Sequence, residues 1–226
     1  MAQERKVRKI ISFWQELTAR LDAAGDYLPP LFLRLILFVE FYEAGMMKLH
    51  GENWFGSIHS SFPWPFGADW FSNDVSWYMA MWGEIIGATL LLLGLFTRFA
   101  AFSIIIITAV ATAAVHWPES YTSASELWQG YAITNEGAGN FKLPLIFIVM
   151  ALPLVFKGAG KISLDNLLAS ITGTGAHAKV HDLAAAGLTF LIIGAPLVFL
   201  LPGTGWSLLL VGAGLLIANR LITPRP

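Results

Sequence analysis

The chain has no cysteine. Disulfides, thiolate catalysis, iron–sulfur clusters and any sulfur relay carried by this chain are therefore excluded. Charge is almost as scarce. Only 13% of the 226 residues are Asp, Glu, Lys or Arg, against about 25% in a soluble domain. The net charge is −1, so no global field favours nucleic acid. The chain has no P-loop, no HExxH and no dinucleotide fingerprint behind a strand. GAGK at 158–161 is too short for a phosphate loop, follows an apolar run and reads as a helix stop. No cleavable signal is visible, and no internal repeat.

What remains is apolar: 56% of the residues are hydrophobic. The apolar runs predict an all-α, polytopic membrane bundle with spans near 31–49, 77–97, 99–116, 141–156, 183–201 and 206–221, the last short for a bilayer that needs about 20 residues. Residues 1–28 form an N-terminal cytoplasmic segment. Within it Ile10, Trp14, Leu17 and Leu21 share a face opposite Gln15, Glu16, Thr18 and Arg20, the pattern of an amphipathic helix in the membrane interface. Residues 29–166 carry the first four spans. Residues 167–182, rich in small and polar side chains, read as a linker. Residues 183–226 form a C-terminal transmembrane hairpin, with Pro202-Gly203-Thr204-Gly205 as its turn. The segment 51–76 is polar and aromatic. Its rings suit the headgroup level, the alternative being a lid folded back over the bundle.

Six alternating spans place Arg5 to Arg20, Arg98, Lys157, Lys161, Lys179, Arg220 and Arg225 on one side, with only Lys48 and Lys142 at the other ends. The positive-inside rule then puts both termini in the cytoplasm.

The chemistry-bearing residues lie in and around the first three spans. Glu40, Glu43 and Met47 share one face of a helix. Lys48, His50 and His116 fall near the outer surface, and Glu84 lies about 10 Å below the outer end of the second span at 1.5 Å per residue. A charge near the centre of a span costs roughly 2.5–3.5 kcal/mol, so these groups call for partners. Lys48 and Glu84 are expected to pair between adjacent spans, with Glu43 sharing the network. One reading is an outward-opening ligand site built from Glu40, Glu43, Lys48, His50, Glu84 and His116. The other is a buried ionic network that fixes helix packing. Met46, Met47, His50 and His116 further compose a loose set of soft donors suited to Cu(I), although Met in a membrane core is usually filler.

Three motifs together resemble the DoxX family: Gly45-x-x-Lys48, Glu84 followed by LLLLGLFTRFAA, and GAGKISLD at 158–165. The resemblance spans about residues 30–166. FYEAGMMKLHGENWF at 41–55 and NFKLPLIFIVMALPLVFKGAGKISLD at 140–165 are similar to the HvfX-type subgroup, encoded with copper-binding, ribosomally made and modified peptides. The resemblance implies a four-helix core in the bacterial inner membrane, with Gly45, Lys48, Glu84, Arg98, Gly158, Gly160, Ser163 and Asp165 as the family positions. Gly158 and Gly160 would end a helix, and Asp165 would cap the next segment. The implied role is accessory to a copper-peptide pathway, in maturation, export or membrane redox support, with the modified peptide or its biosynthetic enzymes as partners. The alternatives are a quinone-reactive subunit working with a soluble redox subunit, as in thiosulfate:quinone oxidoreductase, and a structural anchor or chaperone. Quinone and copper are the cofactors these readings admit. The C-terminal hairpin is not part of the family core.

Overall fold

A computed structural model describes residues 2–134, 139–174 and 182–222. Nine α-helices appear among them: α1 (Ala2–Gly25), α2 (Leu28–His50), α3 (Asn73–Leu93), α4 (Thr97–Ala111, continued by a π turn Thr112–His116), α5 (Ala124–Gln129), α6 (Lys142–Lys157), α7 (Leu164–Thr172), α8 (Leu183–Leu200) and α9 (Pro202–Ile222). α2, α3, α4 and α6 close a four-helix ring by packing α2 on α3, α3 on α4, α4 on α6 and α6 on α2. α8 packs against α4, and α9 packs against α8.

The ring is built on small and branched side chains. Leu37, Ala88, Leu91, Ala100, Ala101, Ile104, Ile105, Ala151 and Leu154 are fully buried. The alanines let backbones approach closely, which is what holds helices together where lipid is as apolar as the core. α3, α4 with its π turn, α8 and α9 are long and apolar enough to cross a membrane. α6 has 16 residues, about 24 Å of helix. α2 carries four charged residues, Arg34, Glu40, Glu43 and Lys48. It runs antiparallel to α3 all the same, touching it through Arg34 at one end and Lys48 at the other.

The tertiary structure revises three boundaries. The 167–182 segment opens as helix, because α7 starts at Leu164 with Ser163 as its N-cap and stops at Gly173, whose φ is +68°. Leu164, Leu167, Leu168 and Ile171 form an exposed apolar stripe along α7, at the i, i+3, i+4, i+7 spacing of an interfacial helix. Residues 175–181 lie outside the described residues. The expected hairpin turn 202–205 is the first turn of α9. Proline fits the first helical position, where its missing N–H would be unpaired anyway. A Cβ on Gly205 would lie 2.3 Å from the Val198 nitrogen, so that glycine lets α8 and α9 touch. Finally, the 51–72 segment is partly lid. Phe55 and Phe62 are buried with Trp77 and Ala114, whereas Trp54, Phe66 and Trp70 stay exposed.

α1 makes few contacts beyond the start of α2. Ile10, Phe13, Trp14 and Leu21 are all exposed on it, as expected of a helix whose apolar face meets lipid rather than protein.

Candidate functional site: the Lys48–Glu84 pair and its cavity

The site begins with a glycine. A Cβ on Gly45 would sit 2.6 Å from Ile85 Cγ1 and 3.1 Å from the Ile85 nitrogen. Only glycine lets α2 and α3 come this close. Lys48 lies one turn further along the same face of α2, and Glu84 precedes Ile85 on α3, so the close crossing brings the two together. Lys48 Nζ donates to Glu84 Oε1 at 2.9 Å and to Oε2 at 2.8 Å. The side chains are 17% and 7% exposed. In such surroundings neither charge is tolerable alone, and each is the other's counter-ion.

Lys48 of the pair lines a cavity of about 350 Å³ together with Leu49, Gly51, Asn53, Asp74, Trp77, Tyr78 and Met81. Asn53 Nδ2 donates to Asp74 Oδ1 at 2.8 Å, bracing the rim. Trp77, 5% exposed, stands edge-on to Phe55 with centroids 5.0 Å apart. The lid therefore fixes one cavity wall. The result is an ammonium held by a carboxylate behind it, with aromatic and amide groups around the opening. Such a site can donate a hydrogen bond to a carbonyl or anionic oxygen, and Glu84 can take or return a proton.

His59 ties the lid to α3. Its Nδ1 lies 2.7 Å from Asn73 Oδ1 and its Nε2 lies 2.8 Å from Asp69 Oδ1. The hydrogen bond to Asp69, and next that to Asn73, raise the His59 pKa above its ordinary value. A folded pKa raised above the unfolded one means that the contribution to stability is full below the unfolded value, about 6.5, and is lost as pH rises through the folded value. A titration of the His59 ring followed by NMR is expected to give a midpoint above that of a free histidine. Asp69→Asn is expected to lower it, and an unchanged midpoint in that variant would dismiss the contact.

The remaining expected site residues do not converge here. Glu40, Glu43 and Met47 share a face of α2, but it is the face turned away from the bundle, where both carboxylates are exposed and Met47 is 64% exposed. Glu43 therefore takes no part in the Lys48–Glu84 network. His50 is exposed at the end of α2 and Met46 is half-buried. His116 sits at the end of α4, which lies diagonally across the ring from α2. Its Nδ1 is 2.7 Å from Asn140 Oδ1, and its carbonyl accepts from the Asn140 N–H at 3.0 Å. That double link fastens α4 to the approach to α6. Among the described residues no group of three or more His, Asp or Glu side chains is placed to hold a metal ion.

The other motif positions form a latch at the opposite end of the bundle. Arg34, 1% exposed, was not among the residues expected from sequence, although a lone arginine inside an apolar run was a visible signal. Its Nη1 donates to the carbonyls of Leu91 and Leu92 at 3.1 and 3.2 Å, and its Nη2 donates to the Ile162 carbonyl. Gly94, at φ +64°, leaves room for it, since a Cβ there would meet Arg34 Nη1 at 2.4 Å. Asp165 caps α4 rather than its own helix: Oδ1 and Oδ2 accept from the N–H groups of Phe96 and Thr97 at 2.8 and 2.9 Å. Ser163 caps α7 instead. Arg98 Nη1 donates to the Val155 and Phe156 carbonyls at the end of α6. Gly158 and Gly160, at φ +86° and +77°, turn the chain away from α6. A cavity of about 550 Å³ opens at this end. It is larger than the cavity beside Lys48, but the Arg98 and Asp165 groups that line it close off helix ends. The cavity beside Lys48 is the one lined by a member of a buried ion pair, so it is the candidate site.

These features define a polytopic helical membrane protein with a buried ion pair beside a small cavity. The DoxX family matches residues 30–117, from α2 to just beyond the π turn of α4. A Haemophilus influenzae protein described only as uncharacterized is 37% identical over 155 residues, 69% of this chain and 93% of its own length. A second uncharacterized protein from that organism is 34% identical over 137 residues, 61% of this chain and 90% of its own length. No solved structure matches the chain. Residues 30–117 thus form a DoxX-family domain within the chain.

Proposed function

We propose that this protein is a bacterial inner-membrane accessory of a copper-binding modified-peptide pathway, serving maturation, export or membrane redox support. In this reading it has six spans and cytoplasmic termini, and the cavity beside Lys48 opens outward and takes a small polar ligand or part of the peptide. The observation that carries the proposal is that Lys48, held by Glu84, lines that cavity. An ion pair that served packing alone needs no cavity beside it. Support for the peptide pathway comes from the 41–55 stretch, whose likeness to the HvfX-type subgroup includes Lys48, Gly51 and Asn53 of the cavity lining.

The test is a strain without the gene, complemented with the natural chain or with Lys48→Met. Mass spectrometry then measures how much precursor peptide is modified and exported. Both the deletion and Lys48→Met are expected to lower the modified, exported fraction several-fold at equal expression of the variant. Normal peptide output in the deletion strain would refute the reading.

The second reading, a quinone-reactive subunit, is favoured by Trp77 and Tyr78 lining the same cavity as Lys48. There Lys48 donates to a quinone carbonyl and Glu84 passes on the proton, while a soluble partner supplies the electrons. Binding of a short-chain ubiquinone to the purified protein, abolished by Lys48→Met, would favour this reading over the first.

A further inference from the structure

α2 shows two faces of opposite character. One buries Arg34, Leu37, Phe41 and Gly45. The other exposes Phe32, Ile36, Val39 and Met47 together with Glu40, Glu43 and His50. The exposed residues follow one helical stripe, the spacing at which a second helix lies along the first. α2 packs mainly on α3 and α6 and only slightly on α1, and the stripe stays exposed, so no described element covers it.

Glu40 lies at the middle of the stripe. It is about 18 Å from the start of α2 and about 15 Å from its end at 1.5 Å per residue. Glu43 lies one turn further out. Neither has a hydrogen bond or ion pair among the described residues. The two cations of α2 are engaged elsewhere: Arg34 with backbone carbonyls, Lys48 with Glu84. In the six-span reading proposed above, on which this inference rests, α2 crosses the bilayer and lipid headgroups do not reach the depth of Glu40. Ionisable side chains within a membrane bundle pair with one another or face a polar interior, and these two do neither among the described residues. A second copy of the chain is a poor occupant. A two-fold axis along the membrane normal would bring the same two carboxylates against each other at the same depth.

We propose that the outer face of α2 is a docking face for a transmembrane segment of another protein that carries a lysine or arginine at mid-membrane. Glu40 and Glu43 are its counter-charges. Phe32, Ile36, Val39 and Met47 supply the apolar contact on either side of them. This surface is separate from the cavity beside Lys48 and stands or falls without it.

The absence of native cysteine makes the test clean. Glu52→Cys, just beyond α2, takes a donor dye, and the protein is placed in phosphatidylcholine vesicles. The probe is an acceptor-labelled synthetic transmembrane peptide of Leu and Ala with one central Lys, compared with the same peptide carrying Leu there. Energy transfer is expected at about tenfold lower peptide-to-lipid ratio for the Lys peptide, the scale of one good polar contact between helices. Glu40→Gln with Glu43→Gln is expected to remove that advantage, whereas Glu16→Gln on α1 leaves it intact. The Lys and Leu peptides compared on the natural glutamates keep the test valid even if the double variant folds poorly. Equal transfer from both peptides, or an advantage that survives the double substitution, overturns the proposal. So does disulfide formation between two copies of Val39→Cys without peptide, which would make a second copy the occupant.

Discussion

Lys48→Met alone is expected to destabilise the protein more than Lys48→Met combined with Glu84→Gln. Removing one member of a buried pair leaves the other uncompensated, a loss of about 3–5 kcal/mol in well-buried cases. Partial exposure of Lys48 places this pair toward the lower end. The double variant leaves no orphan charge, and Gln keeps the shape of Glu. A double-mutant cycle scored by unfolding in detergent reads the coupling directly. Additive losses would mean that the 2.8 Å contact carries no net coupling, and the cavity would then lie beside an energetically idle pair. Gly45 belongs to the same argument, because the close crossing it permits sets the distance between the two charges.

Arg34→Met should be the most damaging single change at the other end of the bundle. Three backbone carbonyls, on Leu91, Leu92 and Ile162, accept from one guanidinium. Hydrogen bonds to a charged group contribute about 1.5–3 kcal/mol each. Methionine fills much of the volume and restores none of them, so a loss of roughly 3 kcal/mol or more is expected. Arg34→Lys is expected to fall between, because an ammonium is a point donor and lacks the planar fork that reaches α3 and the 158–163 turn at once. The measurement is thermal unfolding in detergent, with limited proteolysis of that turn as a second readout. A lysine variant as stable as the natural chain would show that charge alone holds the latch.

Lys48 and Glu84 were legible as partners before any fold was known. Each is a charge in an apolar run, a lysine side chain can bend along its helix toward a carboxylate deeper in the span, and neither is tolerable alone in hydrocarbon. Arg34 obeys the same rule and was open to the same reasoning, but its partners are main-chain carbonyls, which no side-chain pattern advertises. Asp165 precedes helical residues and looks like a local cap. Its carboxylate reaches α4 instead, because the 158–163 turn carries it across to the Phe96 and Thr97 N–H groups. α7 was hidden for another reason: the small and polar residues that follow it made the whole stretch look like a linker.

By itself, then, the sequence determined the class of the molecule. A bilayer demands long apolar helices with their backbone groups satisfied internally, and that demand is written in hydrophobic runs and in the lack of charge and cysteine. It also determined which residues share a helical face, since the 3.6-residue period sets relative phase. It could not determine where each face points. The phase of Glu40, Glu43 and Met47 is common, yet only the packing of α2 on α3 and α6 turned that face outward and Lys48 inward. Direction is set by which neighbours a helix has, and those contacts join residues far apart in the chain. The tertiary structure alone therefore separated one paired carboxylate inside the bundle from two on its surface that have no partner among the described residues.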